Sequence, residues 1–211
     1  MRRQAIDARG RGWCLRADRP PGATSHHHGM TDMSEIWFRT GEATVLAAEG
    51  QFTDAMPEVL IGSTRGPVGH GFASMLGQVQ GHTRMFVVRD LNQLVRPATI
   101  MTTKVTIHTA EYAELLGGVV QAATADAIVD CVIEGILPKD GLDELCMIIT
   151  IWLDERCGKD ENLDRKDLYR TNYEATKLAI ARAMKGEPTI DELIANRKTV
   201  KHYALEDIIE Y

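Results

Sequence analysis

The chain predicts an α+β fold, with helices laid on one face of a sheet. Three observations predict it. Short segments with two-residue alternation or a brief apolar run read as strands. Longer stretches, above all 119–137 and 168–185, carry helical spacing. The two kinds follow the order strands, helix, strands, helices, strand, helix.

Taken along the chain, Ile36–Ala47 reads as a strand, and Pro57–Gly62 reads as a second, closed by its glycine. Gly66–Gln80 has helical spacing through Phe72, Met75 and Leu76. Arg84–Arg89 is a short buried strand, and Thr99–His108 is a longer one. Thr109 has the side chain of an N-cap and precedes a helix over Ala110–Leu116. Gly117-Gly118 is expected to interrupt that helix before a second one, Val119–Leu137, which Pro138 stops. Cys146–Leu153 is an isoleucine-rich run of strand length. A charged loop, Asp154–Asp167, leads to the helix Leu168–Lys185, ended by Gly186 and Pro188. A shorter helix, Ile190–Arg197, follows.

The 211 residues, 44% of them hydrophobic, suffice for a substantial core. No apolar run is long enough for a bilayer span, so no membrane role is expected. Charge is uneven. Residues 1–33 hold six Arg against three Asp, which leaves a net −9 on the rest of a chain whose total is −6. An acidic body argues against nucleic-acid binding, which needs a phosphate-neutralising surface. Residues 1–33, rich in Arg, Gly and Pro, read as a disordered extension, and Met30 and Met33 both offer later starts. They lack the apolar segment of a signal peptide, and His26-His27-His28 on such a tail carries no metal assignment. The folded domain is expected to occupy 34–211. Cys14, Cys131, Cys146 and Cys157 show neither CxxC nor metal spacing and read as a reduced, cytoplasmic set, with Cys131 and Cys146 in apolar contexts.

The segment Thr102–His108 holds the most chemistry. As a strand it places Thr102, Lys104, Thr106 and His108 on one face, with Val105 and Ile107 on the other. A lysine held by a rigid strand can be aimed at an anion or a reacting carbonyl. The same alternation also fits an exposed sheet face with a solvated lysine.

Longer blocks carry a resemblance. Lys104-Val105-Thr106-Ile107, the stretch Asp130–Pro138, and above all Asn172–Ile180 with Arg182-Ala183 and Gly186-Glu187-Pro188 resemble the formaldehyde-activating enzyme family. Gly41-Glu42-Ala43 and Asn196-Arg197-Lys198 fit as well, so the match covers roughly residues 40–202. The resemblance implies a two-layer α+β sandwich with a left-handed βαβ crossover. It implies subunits in a ring of five, with the pterin between neighbours. The implied reaction is condensation of formaldehyde with tetrahydromethanopterin to the methylene-pterin and water, in one-carbon metabolism of a methylotroph-like cytoplasm. The implied class is carbon–nitrogen lyase, with tetrahydromethanopterin as co-substrate and no metal.

The family's pterin-contacting lysine, threonine and glutamine fall on Lys104, Thr106 and Gln121, and a leucine contact falls on Phe86. Its aspartate falls on Glu58, one methylene longer. Its histidine, the proton donor, falls on Met56 when Ile61-Gly62 sets the register. Methionine has no proton to give to the oxygen that must leave, a contribution of about 10²–10⁴-fold when a positioned acid supplies it. Glu58 could act as the substitute acid if burial raised its pKa. His70, His82 and His108 are further candidates, each with an ordinary surface alternative. Lys104 could trap formaldehyde as a Schiff base, or serve as a charge partner for the pterin or Glu58. Tyr173 and Lys177, one helical turn apart, read as subunit packing.

Three functions compete. The first is the condensing enzyme. The second is a non-catalytic pterin- or formaldehyde-binding paralogue, acting as sensor, buffer or mixed-ring subunit. The third is a ring scaffold, against which the joint presence of Lys104, Thr106 and Gln121 speaks.

Overall fold

The computed structural model describes residues 36–77, 84–200 and 202. The expected extension over 1–33, with Cys14 and the histidine run, lies outside the described residues, as does His82.

Five strands form one mixed sheet: β1 (Arg39–Glu42), β2 (Glu58–Ser63), β3 (Arg84–Phe86), β6 (Ala98–Thr103) and β7 (Leu145–Ile151). Their order is β1-β2-β7-β6-β3, antiparallel throughout except for the parallel pair β6 and β7. β4 (Val88–Asp90) and β5 (Gln93–Leu94) make a separate hairpin, turned through Asn92 at φ 63°. β7 is central because both its faces are apolar. Leu145, Met147, Ile149 and Ile151 face the main core, and Cys146 and Ile148 face the other side.

The main core is roofed by α3 (Gln121–Ile133) and α4 (Arg165–Lys185), which pack on each other while α4 also crosses β1 and β2. Asp164 caps α4 by accepting from the Lys166 and Asp167 amides, so the helix starts three residues before Leu168. Gly186, at φ 70°, ends it as expected. Ala175, Ala179 and Ala183 are fully buried and let α4 approach β1 closely. At Gly41 the contact is so tight that an added Cβ would lie 2.1 Å from the Ala179 carbonyl oxygen.

Several local expectations need correction. Helices do not keep to one face: α1 (Pro67–Leu76) covers the opposite side, with Val68, Phe72 and Met75 on Leu60, Cys146 and Ile148. Leu60, Cys146 and Ile148, on this side of β2 and β7, are apolar too, and they need cover. Gly117-Gly118 does not break the helix. α2 (Ala110–Leu115), capped by Thr109 as expected, runs through a π turn over Leu116–Val120 into α3. The continuous helix Ala110–Ile133 is then long and apolar enough to cross a membrane by length and composition, contrary to the sequence expectation. Its apolar residues, among them Leu116, Val120, Ile128 and Cys131, instead fill the core of this domain. β1 is shorter than Ile36–Ala47, with only the isolated bridge Val45–Ala55 beyond it, and Val87 divides the segment Arg84–Arg89 into β3 and β4. α5 is Ile190–Ala195. Cys131, Cys146 and Cys157 are all buried free thiols.

Candidate functional site

β6 stops at Thr103, so the expected strand Thr99–His108 ends five residues early. The Thr103 side chain turns the chain locally: Oγ1 accepts from the Val105 amide at 3.1 Å and donates to the Val105 carbonyl at 3.0 Å. Thr106 and His108 therefore lie in the connection to α2, both exposed, and they do not continue a ribbon with Lys104. Lys104 itself stays on the sheet, since its amide donates to the Ile151 carbonyl at 2.8 Å as one last rung beside β7.

Register builds the rest. Glu42, Glu58, Thr150, Thr102 and Arg84 pair in sequence across all five strands and form one transverse polar row. Directly paired residues share a face. The adjacent row, Thr40, Leu60, Ile148, Ile100 and Phe86, is mostly apolar, and α1 lies over its middle. The polar row is thus the margin of the α1 face.

Lys104 reaches across β7 into this row. Its Nζ is 2.7 Å from Glu58 Oε1 and donates to the Met56 carbonyl at 3.1 Å. The other carboxylate oxygen, Oε2, accepts from Thr150 Oγ1 at 3.0 Å. Both Glu58 oxygens are therefore held although its side chain is 61% exposed. The Lys104 hydrogen bond, then the Thr150 hydroxyl and the ammonium charge, keep the Glu58 carboxyl below its ordinary pKa, and slight burial opposes them. The condition for Glu58 to act as a neutral acid is thus unmet: it stands here as a carboxylate, because the ammonium outweighs burial. Lys104 has three N–H donors, two of them used on Glu58 and Met56.

The remaining expected residues are dispersed. Met56 is half-buried, and its backbone carbonyl, not its side chain, joins the cluster. Phe86 is partly exposed on the α1 face, with its ring centroid 5.9 Å from that of Phe72. Gln121 opens α3 in the helical layer. Its Oε1 accepts from the Val88 amide at 3.0 Å and its Nε2 donates to the Gly117 carbonyl at 2.7 Å. Within the chain, then, Gln121 and the Lys104–Glu58 pair stand on opposite sides of the sheet. His70 is exposed on α1. Tyr173 and Lys177 pair with Asp130 of α3 and with Glu134 just past its end, at 2.6 and 2.5 Å, and so bind α4 to α3 within the chain.

Sequence reasoning missed Thr150. Its signal was a single hydroxyl in the otherwise apolar run Leu145–Ile151. A cavity of about 290 Å³ between the β4–β5 hairpin and α3, lined by Arg89, Leu94, Arg96, Val132, Ile133 and Leu142 among others, includes none of the expected residues. Among the described residues no group of three His, Cys, Asp or Glu is placed to hold a metal ion.

The family of the formaldehyde-activating enzyme (Fae) matches this chain over residues 40–205. A 5,6,7,8-tetrahydromethanopterin hydro-lyase of Methanosarcina barkeri is 37% identical over 146 residues, which is 69% of this chain and 79% of the relative. A bifunctional enzyme Fae/Hps of Methanothrix thermoacetophila is 39% identical over 149 residues, 69% of this chain but 36% of the relative. One of Archaeoglobus fulgidus is 35% identical over 166 residues, 78% of this chain and 40% of the relative. This chain thus spans little more than a third of the bifunctional relatives it matches and most of the monofunctional one. The matched span takes in every strand of the sheet, apart from the first residue of β1, and the whole Lys104–Glu58–Thr150 cluster, and on that ground the chain belongs to the formaldehyde-activating enzyme family.

Proposed function

We propose that this chain condenses formaldehyde with tetrahydromethanopterin, giving methylene-tetrahydromethanopterin and water, as a carbon–nitrogen lyase of one-carbon metabolism. The observation that carries the reading is the fixed ammonium–carboxylate pair of Lys104 and Glu58 on an exposed sheet margin. In the reaction a pterin amine attacks the formaldehyde carbon, and the carbonyl electron pair passes to oxygen, which takes a proton. The carbinolamine then loses that oxygen as water, and the second amine closes the bridge and releases its proton. Glu58, anionic, is the group to receive a proton from nitrogen. The spare N–H of Lys104 is the group to polarise, and to protonate, the departing oxygen. The proton balance is restored across the 2.7 Å between them.

Phe86 supplies an apolar wall for the pterin ring, and Thr106 and Gln121 supply polar contacts. What supports a cleft between neighbouring copies is that Gln121 and Lys104 cannot meet around one sheet. A ring of five, a left-handed βαβ crossover and a cytoplasmic setting belong to the same reading. Sedimentation equilibrium tests the ring: a mass five times that of the chain is expected.

One observation favours a second reading, a pterin-binding subunit without turnover: Met56 carries no titrating group. The test is the rate of methylene-pterin formation with purified protein against the spontaneous background, beside direct measurement of pterin binding. A rate above background supports the enzyme. Binding without acceleration selects the second reading.

A further inference from the structure

We propose that Thr150 is a positioning residue that holds the Glu58 carboxylate in the orientation presenting Oε1 to Lys104. The inference deepens the proposed reaction and rests on it for its catalytic meaning. Three observations carry it. First, Thr150 is the lone hydroxyl in the strand Leu-Cys-Met-Ile-Ile-Thr-Ile, whose six other residues are all buried. An isoleucine or valine there would suit the strand equally well by propensity, so the hydroxyl needs a reason.

Second, Thr150 stands between the two partners. Glu58 is its register neighbour on β2 and Thr102 its register neighbour on β6, two residues before Lys104. The Lys104 side chain must pass over the strand between them to reach Glu58, and Thr150 is the residue of that strand paired directly with Glu58. Third, the two oxygens of Glu58 are divided: Oε2 accepts from Thr150 at 3.0 Å and Oε1 lies 2.7 Å from Lys104 Nζ. A glutamate side chain as exposed as this one would otherwise sample many rotamers. Threonine is branched at Cβ, is stiff at χ1, and sits here on the central strand. It is a fixed post for one oxygen, and fixing one oxygen fixes the other. The Lys104 ammonium is then steadied by Glu58 on one side and by the Met56 carbonyl on the other, which leaves its third N–H to point outward.

The test compares Thr150→Val, which keeps the shape and removes the hydroxyl, with Thr150→Ser, which keeps the hydroxyl and removes a methyl. The Glu58 carboxyl is followed by NMR titration in the full-length ¹³C-glutamate-labelled protein, assigned by its loss in Glu58→Gln. A hydrogen bond to a carboxylate favours the charged form, so its removal must raise the midpoint. The expected result is an upward shift in Thr150→Val, a near-parental midpoint in Thr150→Ser, and unchanged thermal unfolding cooperativity in both. The acid limb of the pH–rate profile should move the same way. kcat should fall about five- to tenfold in the valine variant, the scale of one ordinary net hydrogen bond, with KM for the pterin little changed. An identical Glu58 midpoint in parent and Thr150→Val overturns the proposal. If the parent shows no turnover above background, the proposed reaction fails, and the titration alone still decides whether Thr150 orients Glu58.

Discussion

Lys104 Nζ lies 2.7 Å from Glu58 Oε1, although the two residues belong to chain segments separated by the whole width of β7. The strand lying between them, otherwise apolar, carries Thr150, whose hydroxyl donates to the other Glu58 oxygen at 3.0 Å. Replacement of Lys104 by methionine should return the Glu58 carboxyl upward toward its ordinary pKa. A carboxyl depressed in the folded protein contributes stability above the unfolded-state pKa of about 4.5 and loses it as pH falls through the folded value. The parent should therefore lose more stability than Lys104→Met on going from neutral pH to the acid side of that midpoint. The difference should stay below about 1 kcal/mol, because the pair faces solvent. Urea unfolding of both proteins at several pH values measures it. Equal acid sensitivity would count against the pair.

Met56→His would set an imidazole beside the carbonyl that already receives Lys104 at 3.1 Å. Its side chain titrates near neutral pH and can deliver the proton that methionine cannot. The rate of methylene-pterin formation should rise at least about tenfold, within the range that a positioned acid gives. Stopped-flow comparison with the parent at neutral pH checks this. No increase, with pterin binding intact, would show that the proton is already supplied by another group.

Gly41→Ala should be severely destabilising. The new methyl would meet the Ala179 carbonyl oxygen at 2.1 Å and the Ala183 amide nitrogen at 2.7 Å, both of them backbone atoms of α4. Helix and strand must separate to admit it, at a cost of about 3 kcal/mol or more. Denaturant unfolding gives the value. A loss under about 1 kcal/mol would mean that the helix shifts freely on β1.

Thr176→Val should stabilise the protein. The Thr176 hydroxyl is fully buried and has no hydrogen-bond partner among the described residues, and neither has Asn172 Oδ1 one turn earlier. Valine has the same shape and leaves no polar atom to desolvate, for a gain of about 1 kcal/mol. A lower midpoint in urea for the valine variant would reveal a partner for that hydroxyl in solution.

Much of the fold is legible in local chemistry. The Thr109 cap appears with its side chain accepting from the Tyr112 amide at 3.1 Å, and Gly186 takes the left-handed conformation that ends α4. β2 and β7 lie within a residue or two of where alternation and apolar runs put them. Other features were not legible. Gly117-Gly118 reads as a break, yet a π turn carries the helix through it, because neighbouring turns packed in the core hold the backbone in place. β6 ends at Thr103 because that side chain bonds the backbone two residues on, a competition that alternation does not register.

The candidate site divides in the same way. Residue types, together with the likeness to a family, single out Glu58, Phe86, Lys104, Thr106 and Gln121 in the sequence alone, since side-chain chemistry is written position by position. Long-range register alone decided which of them stand together, and it placed Thr150 among them. It put Glu58 beside Lys104, fixed its charge state, and left Gln121 across the sheet, bonded to Val88 and Gly117. Periodicity describes one strand at a time, whereas strand order and pairing depend on burying both faces of β7 at once, which is a property of the folded whole.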